Sequence, residues 1–269
     1  MHPVSNAARK TDSSLIEVMP MGAALGAEVR NVDIKSFGDW QYAAFMRALL
    51  QHQVLLVRGQ SLVGHDLIAF SRRLVKGLSK IAPMSTVRVS GAFSCLETPP
   101  IVSLLHAREM PPHGRSASFC SLHALHDSLP PALRRRIANL EIGHGSAIFE
   151  CDGIDRHRSK PSGDWRPPHG AARPLVCHHP DTGRQMLRLG RRRNAYLLGL
   201  KPAESEALLD ELWQYVEHPE FCWEHAWQAG DLVISDRRCT LQQRGPFEDS
   251  PRWAMSRTRL TERRRDTAA

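Results

Sequence analysis

Residues 221–227 place Phe221, Trp223, His225 and Trp227 in strict alternation with Cys222, Glu224 and Ala226. Only a pleated strand sends every second side chain to one face, so this stretch belongs in a sheet whose aromatic face is covered. Gly230-Asp231 then turns the chain into a second strand, Leu232-Val233-Ile234-Ser235. Val54-Leu55-Leu56-Val57 has no polar member and reads as a strand buried on both faces, closed by Arg58-Gly59-Gln60. Ile101 to His106, behind Pro99-Pro100, and Trp253 to Leu260 complete the strong strand signals, and the alternating stretches from Leu15 to Ile34, interrupted by Gly22 and Gly26, add half-buried strands.

Helices surround this β framework. Asp39 is the expected N-cap of a helix through Ala43, Ala44, Ala48 and Leu49, and a second runs from Asp66 to Leu74. Pro130 and Pro131 open a third through Leu133 and Ile137. Pro202 opens the clearest one, with Leu208, Leu209, Leu212, Trp213 and Val216 on one face. Strands and helices do not alternate in βαβ order, which predicts a β-rich α+β fold with helical cover. We expect a flexible polar tail over residues 1–13, one domain over 14–262 and a basic tail over 263–269. Residues 76–92 carry no assignable pattern, and the polar, Pro- and Gly-bearing stretch 151–170 reads as a long surface loop.

Composition narrows the function classes. The chain has no apolar run of the ~18 residues a spanning helix needs, and its first residues lack a basic-then-apolar leader, so we expect no membrane association and a cytoplasmic location. The formal charge of +8 would suit nucleic acid. The excess, however, sits in three separated runs, Arg134–Arg136, Arg191–Arg193 and Arg263–Arg265, without interleaved aromatics. A solvated face or a small-anion site is the better expectation, and nucleic acid is disfavoured. Six cysteines with no C-x-x-C spacing exclude zinc-ribbon and thioredoxin readings. In a reducing compartment they are expected to be free thiols.

Several stretches, taken in order, carry a family resemblance. They are Leu25-Gly26-Ala27-Glu28-Val29-Arg30-Asn31-Val32-Asp33, His52 to Gln60, Ala69-Phe70-Ser71-Arg72-Arg73, His179-Pro180-Asp181-Thr182-Gly183-Arg184, Glu204 to Leu209, Trp227 to Val233, and Asp236-Arg237-Arg238-Cys239-Thr240-Leu241. Together the chain resembles the TauD/TfdA family, the taurine and 2,4-D type of iron(II)/2-oxoglutarate dioxygenases. The resemblance implies a double-stranded β-helix, or jelly roll, with flanking helices. It also implies an iron site of two His and one carboxylate, supplied by a His-x-Asp and a distal His, with open positions for 2-oxoglutarate and oxygen.

This sequence departs from the family pattern at each metal position. Anchored on Glu97-Thr98-Pro99-Pro100, the His-x-Asp positions read Ser90 and Ala92, and the distal His position reads Gln242. The family's Arg-Arg-x-Met-His-Arg-Thr stretch reads Arg252-Trp253-Ala254-Met255-Ser256-Arg257-Thr258, so the arginine that would clamp 2-oxoglutarate is Trp253. The family's Thr in Gly-Gly-Asp-Thr reads Ala117. Along a regular strand Arg257 shares a face with Trp253, and Arg252 lies opposite. Arg257 is therefore the expected inward cation for a small, flat carboxylate. The competing expectation is that Trp253 fills the vacated space and Arg257 pairs with a core carboxylate.

Other candidates have plainer readings. His179-Pro180-Asp181 has the His-x-Asp spacing but sits on a turn far from the first metal strand. His225 is expected to be a strand-face His with a hydrogen-bonding partner, and His106 a structural one. His123, His126 and Asp127 share a predicted helix, on which His126 and Asp127 diverge by about 100°. The functional expectation is a dioxygenase homologue that no longer performs 2-oxoglutarate chemistry. It would bind a small carboxylate, as a homo-oligomer or paired with an active relative. Two other readings stand beside it: an active dioxygenase on a small organic acid with displaced iron ligands, and an anion or nucleic-acid binder using the Arg clusters.

Overall fold

A computed structural model of the 269-residue chain describes residues 16–22, 24–74, 80–86, 100–110, 116–144, 172–189, 195–216, 218–244 and 254–261. Its elements run β1 (Glu17–Pro20), β2 (Ala27–Arg30), α1 (Asp39–His52), β3 (Val54–Val57), α2 (Gly64–Leu74), β4 (Lys80–Thr86), β5 (Pro100–Glu109) and β6 (Ser116–Ser121). There follow α3 (Leu122–Ser128), α4 (Pro131–Ile137), β7 (Glu141–His144), β8 (Arg173–Pro174), β9 (Val176–His178), β10 (Gln185–Leu187), β11 (Ala195–Leu197) and α5 (Pro202–Val216). A 3-10 turn at Pro219–Phe221 leads into β12 (Cys222–Ala226), β13 (Leu232–Asp236), β14 (Thr240–Arg244) and β15 (Ala254–Thr261).

Seven strands form one sheet in the order β1-β2-β3-β13-β5-β15-β4, and β12-β6-β14 form a second. The two sheets face each other across a shared apolar layer, in which Val54, Leu56, Leu105, Ala107, Val233 and Met255 of the large sheet meet Ala117, Phe119, Trp223 and Trp227. This is the jelly-roll core. On the outer face of the large sheet, Leu55, Val57, Leu104, Leu232 and Ile234 pack under α1 and α2. The all-apolar β3 follows directly, because both of its faces are buried. Phe37, Phe45 and Phe70 make three edge-to-face contacts with centroids 5.0–5.7 Å apart, fixing the two helices together. A third core joins α3, α4 and α5 to the smaller sheets, with Leu208, Leu209, Leu212 and Val216 of α5 fully buried. Trp213 is half-buried and packs against the edge of the same core.

Two turns hold the mouth of the sandwich. Gly230 has φ +87°, and a Cβ there would stand 3.2 Å from the Gly59 Cα. The Gly230 carbonyl accepts the Gln60 N–H at 2.7 Å, and the Gln60 side chain bonds Ile34 N, Val32 O and Arg58 O. At the other end α1 closes on Gln53, in the left-handed region at φ 65°. The Gln53 Oε1 accepts the Ser121 hydroxyl at 2.8 Å, tying the large sheet to the start of α3.

Three expectations need correction. The α1 N-cap is Gly38, whose N–H donates to Gln41 Oε1 at 3.0 Å, and Asp39 is the first helical residue. The second helix starts at Gly64, with Asp66 Oδ2 accepting the Val63 N–H within its first turn. The cysteines are not all free: Cys120 and Cys222 form a disulfide. The two are 102 positions apart and become register partners only when β6 pairs with β12, which sequence spacing does not reveal. The unpatterned stretch 76–92 contains β4. The expected tails and the loop 151–170 lie outside the described residues, as do two of the three Arg runs.

Candidate functional site

The space between the two sheets is the place to look for a ligand, because polar groups have been carried into it. On β13 and β5, Val233 and Leu105 point inward, and so, two residues along, do Ser235 and Ser103, which are register partners. Both serines are fully buried. Neither hydroxyl has a hydrogen-bond partner among the described residues. On β14, Gln242 pairs with inward-facing Phe119. Gln242 is buried, and its Oε1 is also without a partner among the described residues. Arg257 pairs with inward-facing Leu105, lies two residues from inward-facing Met255, and is buried. The expected inward direction of Arg257 thus agrees with the strand register. Ala117, at the family's Thr position, lines the same layer opposite His225. Ser90, Ala92, Arg252 and Trp253 lie outside the described residues.

His225 does have a polar neighbour. Its Nε2 stands 3.0 Å from Asp231 Oδ2, an ion-pair distance without hydrogen-bond alignment. Its ring lies between Trp223 and Trp227, with centroids 5.0 and 4.7 Å away. Asp231 is held by the Arg58 guanidinium at 3.1 Å and by the Gln228 N–H at 2.9 Å. The Gly26 backbone, at φ +99°, lies so close to the Trp223 indole that a Cβ would reach it at 3.3 Å. This aromatic wall is packed core.

A second polar cluster lies at the turn between β13 and β14. His179 Nε2, Asp236 and Cys239 offer three donor atoms within 4.8 Å of one another, all buried. Their hydrogen bonds argue against a metal. His179 Nδ1 accepts the N–H groups of Asp181 and Thr182, which fixes the proton on Nε2, where it is donated to Asp236 at 3.0 Å. Arg238 grips the same carboxylate through Nε at 2.9 Å and Nη2 at 2.6 Å, and Asp181 through Nη1 at 2.6 Å. Burial alone would raise the Asp236 carboxyl, but the bonds from Arg238 and His179 outweigh it and hold it at about 2. Burial, reinforced by Asp236, pushes the Cys239 thiol well up. These bonds join His179, Asp236, Arg238 and Asp181 into one hydrogen-bonded network beside Cys239. Within His179-Pro180-Asp181 the His179 ring accepts the N–H groups of its own turn, while Asp181 pairs with Arg238.

The other candidate histidines are also tied into the fold by hydrogen bonds. His106 Nε2 donates to the Gln60 carbonyl at 2.9 Å, and His123 Nδ1 to the Gln185 carbonyl at 2.7 Å. Burial lowers the pKa of both. His126 is buried and Asp127 exposed, yet their side chains meet, contrary to the expected divergence: His126 Nδ1 lies 3.4 Å from Asp127 Oδ1, and Asp127 also pairs with Arg184. In the described Arg run, Arg134 and Arg135 bond the Leu129 and Pro131 carbonyls, and Arg136 pairs with Glu211 at 3.6 Å. Sequence reasoning missed Ser103 and Ser235, although a lone hydroxyl in an apolar strand was a usable signal. It also missed the Asp236–Arg238 grip, whose partners meet only through the turn.

Two facing sheets with helices packed on both outer faces, and a few buried polar groups set into the apolar layer between them, make a jelly-roll fold. A model of the taurine catabolism dioxygenase TauD, TfdA family matches residues 92–259, more than half of the chain, and the protein belongs to that family. It is 27% identical to an (S)-phenoxypropionate/alpha-ketoglutarate-dioxygenase of Sphingobium herbicidovorans, over 92% of this chain and 96% of the relative. It is also 27% identical to an alpha-ketoglutarate-dependent 2,4-dichlorophenoxyacetate dioxygenase of Cupriavidus pinatubonensis, over 88% and 95%. A crystal structure of a taurine dioxygenase from Burkholderia xenovorans superposes with a TM-score of 0.76 at 25% identity, covering 92% of this chain and 91% of that one. Among the described residues no helix is long and apolar enough to cross a membrane.

Proposed function

We propose that this chain is a TauD/TfdA homologue that has lost iron-dependent turnover and retains its interior as a site for a small carboxylate. The observation that carries the proposal is Gln242. It stands where the family pattern places the distal His, and its side chain is buried and faces the interior. A neutral amide is a weak ligand for a divalent ion, and Ser90 and Ala92 supply neither imidazole nor carboxylate. A dication held by these three groups would lose its water without any charge to offset it. The residues present therefore do not fit the iron of the family, and no reaction step is assigned through it.

What remains suits binding. Arg257 supplies positive charge on the inner face, and the Ser103 and Ser235 hydroxyls offer neutral donors on the same face of the sheet. A guanidinium favours a carboxylate because its planar fork matches two oxygens. Isothermal calorimetry with 2-oxoglutarate and with phenoxyacetate tests this. Arg257→Ala should weaken carboxylate binding at least about tenfold, a loss of about 1.4 kcal/mol. Arg252→Ala should leave it unchanged. Equal affinities for the parent and both variants, or no heat with either acid, would overturn the proposal.

A further inference from the structure

Cys120 and Cys222 occupy a position that none of the readings above uses. They are direct register partners on β6 and β12, so the sheet's own hydrogen bonds bring their sulfurs together whether or not the bond between them exists. Among the described residues β12 is an edge strand, paired only with β6 in its sheet. Its inner face carries Trp223, His225 and Trp227, and the rung next to the cysteines is the stacked Phe119–Trp223 pair, with centroids 5.6 Å apart. The cysteines are therefore the covalent tie of the one strand that forms the aromatic wall of the interior.

The two sulfurs differ in access. Cys120 is fully buried, and Cys222 is half-buried. A small thiolate can approach Cys222, whereas Cys120 is shielded by the core around α5. The reduced state is also provided for. The Val216 carbonyl, in the last turn of α5, lies 3.7 Å from Cys120 Sγ and 3.4 Å from Cys222 Sγ. Carbonyls in a last turn lack intrahelical donors, so this one can accept a thiol S–H from either residue.

We propose that Cys120–Cys222 is a thiol–disulfide exchange site for low-molecular-weight thiols, attacked at Cys222, whose redox state sets how firmly β12 is held to β6. The thiolate of a small thiol bonds to Cys222 Sγ, the protein S–S bond breaks, and Cys120 leaves as a thiolate and takes a proton. A second small thiolate then attacks the small-molecule sulfur of the mixed disulfide. It releases Cys222, which is protonated, and forms the small-molecule disulfide. Two electrons pass from the two small thiols to the protein pair, and the reverse sequence, driven by the small-molecule disulfide, closes it again. Because register and not the cross-link positions the strands, opening loosens β12 without unfolding the protein.

The experiment is hydrogen exchange, read by mass spectrometry, on the full chain equilibrated in reduced or oxidised glutathione, with alkylation mapping of Cys120 and Cys222 in parallel. In oxidised buffer both cysteines should resist alkylation, and in reduced buffer both should be modified after denaturation. Amides of 222–226 should exchange at least about tenfold faster in the reduced state, while those of 232–236 stay unchanged. Cys222→Ser should show the fast pattern in both buffers, and Cys177→Ser should behave like the parent. Alkylation of both cysteines in oxidised buffer, equal exchange of β12 in the two buffers, or faster exchange throughout the chain on reduction would each overturn the proposal. The last result would make the bond a global staple.

Discussion

Asp236→Asn is the substitution that most directly probes how the β13–β14 turn is held. The carboxylate receives four hydrogen bonds: His179 Nε2 at 3.0 Å, Arg238 Nε at 2.9 Å, Arg238 Nη2 at 2.6 Å and the Arg238 backbone N–H at 3.0 Å. An amide of the same shape keeps one acceptor, turns an NH2 toward donors and removes the counter-charge of Arg238. Breaking a buried pair in this way costs about 3–5 kcal/mol. The carboxyl itself gives a second measure. A fall from 3.8 to about 2 corresponds to about 2–3 kcal/mol of stabilisation. The two figures meet near 3 kcal/mol, which shifts a urea midpoint by about 1 M if the slope is about 3 kcal/mol/M. The pH dependence supplies the decisive check. A carboxyl whose pKa is lower in the folded state stabilises fully above its unfolded pKa and loses that contribution as pH falls through the folded one. The gap between parent and Asp236→Asn should therefore be full at pH 6 and shrink between about pH 4 and pH 2. A gap that does not change with pH, or no gap at pH 6, would refute the electrostatic account.

Leu212→Ala, at a fully buried position of α5, should cost about 2–5 kcal/mol in denaturant unfolding; an unchanged midpoint would contradict the packing of α5. Gly230→Ala should cost about 1–3 kcal/mol, because its positive φ and its 3.2 Å approach to Gly59 both oppose a side chain, and melting measures it. Burial lowers the pKa of His106 and His123, so each binds fewer protons folded than unfolded, and stability should fall as pH drops below about 6.5. His106→Gln with His123→Gln should flatten that limb of the stability–pH curve. Added zinc should leave the parent's melting temperature unmoved if the His179–Asp236–Cys239 cluster is held by its hydrogen bonds alone, and a rise abolished by Cys239→Ser would show a metal site instead.

Some strands of the two sheets were legible because their burial is simple, whereas β4, β6 and β14 were not read from the sequence. Val54–Val57 is apolar on both faces, and 222–226 alternates, so periodicity and location agree. α5 was legible to the residue because Pro202 marks its start and its apolar stripe has the helical spacing. Boundaries slipped where the capping side chain sits inside the helix rather than at its N-cap: Gln41 caps the Gly38 N–H, and Asp66 caps the Val63 N–H. The Cys120–Cys222 bond, the Ser103–Ser235 rung and the Arg58–Asp231 pair were hidden for one reason: each joins segments distant in sequence, through sheet order that no local pattern encodes. The departures from the family pattern at Gln242 and Trp253 are visible in the sequence alone, and Trp253 lies outside the described residues. The direction of Gln242 became visible only through its register with Phe119.

The most direct test of the central claim is metal analysis of the protein prepared without oxygen, dialysed against iron(II) with and without 2-oxoglutarate, beside Gln242→Ala. The account predicts well under one equivalent of retained iron in both proteins, with no increase when 2-oxoglutarate is present. One equivalent held by the parent and lost in Gln242→Ala would contradict it, and would make this chain an iron protein with a ligand set of its own.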